Sequence, residues 1–175
     1  MKRFSEQVEH PMTTRKKRSS STQMLILVAV MLVVLIGFRA LTGNDTPSKD
    51  DPAAYTQHVV EQAIERYQQD GRELTIAYHN TPMNVDGQWY VFIIDENGYT
   101  IGHHNPDFRY RDPALRVDST GHFYGDDMLA ATGDGHWVSY VFVNPDTGEE
   151  QRKHAWVVLH DGLIFGSGWY EPVEP

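Results

Sequence analysis

The chain has 175 residues, and its 24 acidic side chains outnumber 15 basic ones, for a formal net charge of -9. An acidic globular part excludes a nucleic-acid surface, because phosphates demand a basic face. The absence of cysteine excludes disulfides, a thiol nucleophile, thiolate metal sites and lipid attachment through sulfur.

The charge is not evenly spread. Residues 1–23 hold Lys2, Arg3, Arg15, Lys16, Lys17 and Arg18 against Glu6 and Glu9. MLILVAVMLVVLIGF then runs uncharged from Met24 to Phe38. A spanning helix wants about 20 apolar residues, and a signal-peptide core has about 7–15. Arg39 can snorkel to the far interface, so that Leu41 extends the span. The preceding tail is long for a signal peptide, and no A-x-A-like cleavage site follows. An uncleaved signal anchor over residues 24–41 is therefore expected. The positive-inside rule places residues 1–23 in the cytoplasm and the rest outside. That makes a single-pass protein of the cytoplasmic membrane, with its C-terminal domain periplasmic or extracellular.

Residues 42–50 are polar with Gly and Pro and read as a linker. A domain over 51–175 follows, large enough for one core. Asp51 and Pro52 suit a helix start. Val59, Val60, Ala63, Ile64 and Tyr67 recur at helical spacing, and Gly71 reads as the helix end. WYVFIID, residues 89–95, is a strand pattern; ENG is a turn; YTIGH returns. Residues 104–124 are rich in Asn, Pro, Asp, Arg and Gly and read as an irregular excursion. GDDMLAAT, residues 125–132, reads as a short helix capped by its aspartates. Three strands follow: HWVSYVFV, KHAWVVLH and LIFGSGWY, the last two joined by Asp-Gly, a hairpin signal. Short connections imply an antiparallel five-stranded sheet in an α+β domain. Strands apolar on both sides imply two covered faces, one by the N-terminal helix and one by residues 104–132.

The stretches GQWYVFIIDENGYTIGHHNP, GHWVSYVFVNPDTGEEQRKHAWV and DGLIFGSGWYE occur in order and span about residues 51–172. Together they resemble the single Cache domains of bacterial extracytoplasmic sensors. The resemblance implies a PAS-like fold with a long N-terminal helix, no enzymatic activity and no cofactor. It also implies a small ligand such as an organic acid or amino acid, with signalling through the anchor helix, a homodimer or a separate partner. The sequence departs from the family pattern at His104, where a proline is usual, and at Lys153-His154-Ala155-Trp156, where Lys-x-Ser-Tyr is common. No second hydrophobic run or signalling domain follows, so the anchor is expected to be the link to the cytoplasm.

By that resemblance His103 matches the family histidine and Tyr140 the family tyrosine. His103 would hydrogen-bond an anionic ligand or pair with its charge. Lys153, the only lysine after the linker, would anchor a carboxylate. Tyr140 would offer its hydroxyl, and Tyr90, Phe92 and Trp156 would wall the pocket. Each has a plainer reading: a histidine satisfying loop carbonyls, an exposed strand-start lysine, an aromatic core stripe. Ser167, between glycines, allows close backbone approach.

Three further readings stay open. One is an anchored envelope module that binds a protein and no small ligand. Another is a metal-dependent enzyme drawing on His103, His104, His122, His136, His154, His160 and nearby aspartates, though no H-E-x-x-H spacing occurs. The last is a hydrolase using Ser119, Ser139 or Ser167, though none sits in a G-x-S-x-G elbow.

Overall fold

The computed structural model describes residues 46–172. The span expected over residues 24–41, its basic tail and linker residues 42–45 lie outside the described residues. Among the described residues no helix is long and apolar enough to cross a membrane.

Helix α1, Pro52–His79, starts as its sequence dictates. The Asp51 carboxylate accepts from the Ala54 amide, and Pro52 fills a first-turn position where no N–H is needed. Gly71 does not end it. With φ 81° and ψ 174°, Gly71 breaks the helix, which then resumes to His79. Only glycine adopts that φ without strain. The second segment carries Thr75 and His79 into the interior, both buried.

The sheet has the order β2-β1-β5-β4-β3 and is antiparallel throughout. Its strands are β1 (Phe92–Ile94), β2 (Thr100–Gly102), β3 (His136–Val143), β4 (Glu150–His160) and β5 (Leu163–Tyr170). β3 and β5 match the sequence expectation. β1 is shorter than WYVFIID because Trp89 leaves the ladder to bridge Asp86. Helix α2, Tyr124–Leu129, forms near the expected place. Asp126 and Asp127 lie in its first turn, and no side chain caps it. The aspartates therefore act through the helix dipole rather than as caps.

Side chains alternate across the sheet, so the domain has two cores. On one face Val60 and Ala63 of α1 pack with Val91, Ile93, Leu163 and Phe165, flanked by Val59, Ile64, Tyr67 and Trp156. On the other, Tyr124, Met128 and Ala131 of the excursion and α2 cover Tyr90, Phe92, Ile94, Val138, Tyr140, Ala155, Val157 and Ile164. Both covers are those the sequence predicts. Each fully buried Val, Ile or Phe contributes about 1.5–3 kcal/mol relative to exposure.

Candidate functional site

The second core is not closed. Between the sheet and the excursion lies a cavity of about 60 Å³, opening into about 530 Å³ of space when its mouth is counted. Phe92, Ile94, Tyr140 and Phe142 from the strands form the floor, with Tyr90 just ahead of β1. Thr100 and His103 come from β2 and the residues after it. Phe108, Arg111, Asp112, Leu115, Arg116, Tyr124 and Met128 supply the roof.

The excursion holds this roof because its polar residues build local turns. Asn105 and Asp112 each cap a one-turn 3-10 helix through a side-chain oxygen. The Asp118 carboxylate accepts from Thr120, from the His122 amide and, at 2.9 Å, from the Val141 amide on β3. These donors hold it well below the usual carboxylate range. Tyr124 stacks on Tyr140 with ring centroids 4.2 Å apart, which fixes α2 to the sheet.

Arg116 is a half-buried cation at the cavity. Its Nη2 donates to Thr100 Oγ1 at 2.9 Å, while Nη1 is buried and unpartnered. Burial lowers its pKa. A guanidinium with an unused buried N–H beside a cavity is the arrangement that takes a carboxylate, whose oxygens match the guanidinium fork.

Of the six residues expected at the site, Tyr90, Phe92, His103 and Tyr140 line this cavity. His103 is held neutral rather than cationic. Burial, with His104 stacked 4.6 Å away, pushes its pKa down to about 2, and Nδ1 accepts from the Asn105 amide. It can offer a hydrogen bond and no charge.

Lys153 is not an exposed strand-start lysine. It is fully buried, one layer beneath the cavity, with Nζ donating to Tyr90 Oη at 2.7 Å. Its Nζ lies 3.9 Å from the Tyr90 ring centre, 5.1 Å from that of Tyr170 and 5.7 Å from those of Phe92 and Phe142. No carboxylate among the described residues pairs with it. Attraction to the rings is worth about 2 kcal/mol. Removing an ammonium from water costs several kcal/mol, so desolvation wins and its pKa falls well below the usual lysine value.

Trp156 stands on the opposite face, against Trp137 and the α1 side of the sheet, and does not wall the cavity. Alternation along β4 puts Lys153, Ala155 and Val157 on one side and Trp156 on the other. Ser167 is likewise on the α1 face. Its neighbours Gly166 and Gly168 give way to the Phe92 ring and the Lys153 stem on the cavity face.

Arg116, Thr100 and Tyr124 were missed because they belong to the excursion and a short strand, where periodicity says nothing about burial. One signal was present: Arg109, Arg111 and Arg116 cluster in an otherwise acidic domain.

Among the described residues no group of three His, Asp or Glu side chains is placed to hold a metal. Ser139, His154 and Glu171 do line up, with Oγ 2.7 Å from Nδ1 and Nε2 2.8 Å from the carboxylate. The nucleophile of a serine hydrolase meets Nε2 instead. The cavity between the sheet and the excursion includes none of the three. The chain of bonds ties the middle of β3 to β4 and to the residue after β5.

No family model matches the chain, and no curated protein matches it. Solved structures do. A methyl-accepting chemotaxis protein from Vibrio parahaemolyticus aligns with a TM-score of 0.56 at 18% identity, over 70% of this chain and 87% of that one. A Cache chemosensory domain described for carboxylic acid recognition gives 0.57 at 24%, over 67% and 91%. The periplasmic sensor domain of a chemotaxis protein gives 0.52 at 20%, over 66% and 88%. The described residues thus have the single-Cache, PAS-like fold.

Proposed function

We propose that this is an extracytoplasmic sensory domain, membrane-anchored through residues 24–41, that binds a small organic anion between its sheet and the excursion. The observation that carries the reading is Arg116, whose buried Nη1 is unpartnered beside an open cavity. The ligand's carboxylate would take that N–H, next to the Thr100 hydroxyl, with the Tyr124 and Tyr140 hydroxyls within the same cavity. A cavity volume of about 60 Å³ holds a handful of water-sized positions at about 10–15 Å³ each. That favours an acid of two or three carbons. The likeness to a domain described for carboxylic acid recognition supports the same class. A module that binds only proteins would be expected to fill this space with its own side chains.

Binding would order the roof over the ligand and shift the sheet against α1, the element nearest the anchor in sequence. The signal would leave through that helix, within a dimer, or to a separate partner.

Thermal-shift measurements on the full-length protein with acetate, propionate, pyruvate and single amino acids test the reading. At 100 times Kd a bound acid stabilises by about 2.7 kcal/mol, a rise of several degrees. Arg116→Ala should abolish the shift. No acid giving a shift, or shifts unchanged in Arg116→Ala and Tyr140→Phe, would sink the site.

A further inference from the structure

Lys153 needs an explanation that packing does not give. A fully buried amine with no acid beside it is costly to keep charged, and methionine would fill the same space without that cost. Yet its environment connects it to the cavity. Tyr90, Phe92 and Phe142, three of the rings around Nζ, also line the cavity wall.

The groups facing it come from every neighbouring element. Tyr140 is its register partner on β3, and Tyr170 is its partner on β5. Tyr90 precedes β1, and His103 and His104 follow β2, packed against the Tyr90 ring. Arg116 lines the same cavity. The tyrosines are un-ionised at neutral pH, since burial raises Tyr90, Tyr140 and Tyr170. The two histidines are neutral for the same reason, with their pKa values lowered. Asp112 lines the cavity from its roof, Asp146 acts on Tyr170, and Asp118 bears on Tyr124 while held by the Thr120, His122 and Val141 donors. Among the described residues no carboxylate lies within ion-pair distance of Lys153 to balance a charge on it.

We infer that the cavity takes up its acid together with a proton, which is added to the Lys153 amine. This rests on the reading of the cavity as a carboxylate site, and specifies how that site is regulated. An anion in the cavity, one ring away, supplies the missing opposite charge, and the low dielectric around the buried amine enlarges its effect. The proton comes from solvent and bonds to the Nζ lone pair, so the amine becomes an ammonium and no other bond changes.

Nζ already donates to Tyr90 Oη at 2.7 Å, and charging Lys153 makes that direction obligatory. A neutral amine has a lone pair that can accept the Tyr90 hydroxyl proton; an ammonium has none. Once Lys153 is charged, Tyr90 Oη accepts from it and its own hydrogen turns elsewhere. Tyr170 Oη, 3.4 Å away, is one acceptor, with its own hydrogen already committed to Val143 O at 2.8 Å. The ligand is the other. Protonating Lys153 thus aims Tyr90 at the acid, and the two events favour each other.

Linkage fixes the sign. Between the lysine pKa of the empty domain and that of the filled one, each bound acid brings up to one proton. Apparent Kd then weakens about tenfold per pH unit as pH rises.

Calorimetric titration of the full-length protein with acetate and with propionate, above neutral pH in two buffers of different ionisation enthalpy, counts the protons. Wild type should take up close to one proton per acid. Lys153→Met should take up none, and its Kd should be flat with pH. Binding that depends on Arg116 but brings no proton, or uptake unchanged in Lys153→Met, overturns this inference and leaves the cavity reading standing. Failure of either acid to bind wild type, with the thermal-shift screen also blank, overturns both. A measurement independent of any variant is the NMR titration of the Lys153 Cε and Nζ resonances. An amine already charged at neutral pH without ligand overturns the inference; one that becomes charged when propionate is added supports it.

Discussion

A β-carbon placed on Gly168 would lie 2.6 Å from Lys153 Cε, so the lysine stem occupies the space that glycine leaves on the adjoining strand. The same residue would crowd His154 O at 2.7 Å, and a backbone atom cannot swing aside. Gly168→Ala should therefore destabilise by about 1–3 kcal/mol, the range for overpacking. Gly133 is the control, because its nearest neighbour would be an ordinary contact at 3.9 Å. Gly133→Ala should change urea-unfolding stability by no more than about 0.5 kcal/mol.

In the proposed site Arg116 would set ligand binding against stability. Its buried guanidinium has an unsatisfied N–H, while a methionine would keep much of the stem's packing against Gly125. Arg116→Met should leave the melting temperature of the ligand-free protein unchanged or raise it. Acid binding should weaken by about 1.5–3 kcal/mol, more than tenfold in Kd. Parallel thermal melts and calorimetric titrations separate the two effects.

The second segment of α1 predicts an acid-sensitive domain. His79 is buried, and burial is the chief cause that pulls its pKa down to about 4, with Asn84 opposing and Arg66 reinforcing the shift. Unfolded, it titrates near 6.5. Between those two values the unfolded chain binds a proton that the folded domain refuses. Stability therefore falls as pH drops from about 6.5 towards 4, by up to about 1.4 kcal/mol per pH unit, and this contribution levels off below. His103 adds a second loss over a window that extends down to about 2. Unfolding followed at successive pH values should show a slope in His79→Leu that is smaller by one proton.

On the alkaline side the governing group is Lys153. Its folded-state pKa is depressed by burial, so between that value and the ordinary lysine range the unfolded chain holds the extra proton. Stability should rise with pH across that window, at up to about 1.4 kcal/mol per unit. The window closes near pH 10, where Tyr90, Tyr140 and Tyr170, raised by burial, begin to act in the opposite direction. Lys153→Met should be more stable than wild type at neutral pH, and the difference should shrink as pH rises towards 9. Urea denaturation of both proteins across that range gives the comparison.

Local patterning by itself determined much of this domain. β-Branched and aromatic runs bounded by turn residues located five strands, and the Asp-Gly between β4 and β5 marked their hairpin. The helical spacing of Val60 and Ala63 with Val59, Ile64 and Tyr67 identified the face that covers one side of the sheet. These are short-range signals, because they depend on residues a few positions apart. Which residues meet at the cavity was decided only by tertiary structure. Trp156 and Lys153 sit on one strand, three residues apart, and alternation sends them to opposite faces. Choosing which face holds the cavity requires knowing where the excursion lands. Arg116 lies in a segment without periodicity, and its burial is set by the Asp118 anchor on β3 and the Tyr124–Tyr140 stack. Lys153 itself was conspicuous as the domain's one lysine after the linker. That it would be fully buried, with its pKa pulled down and one ring away from the cavity, follows from the glycine opposite it and the aromatic rings closing over it.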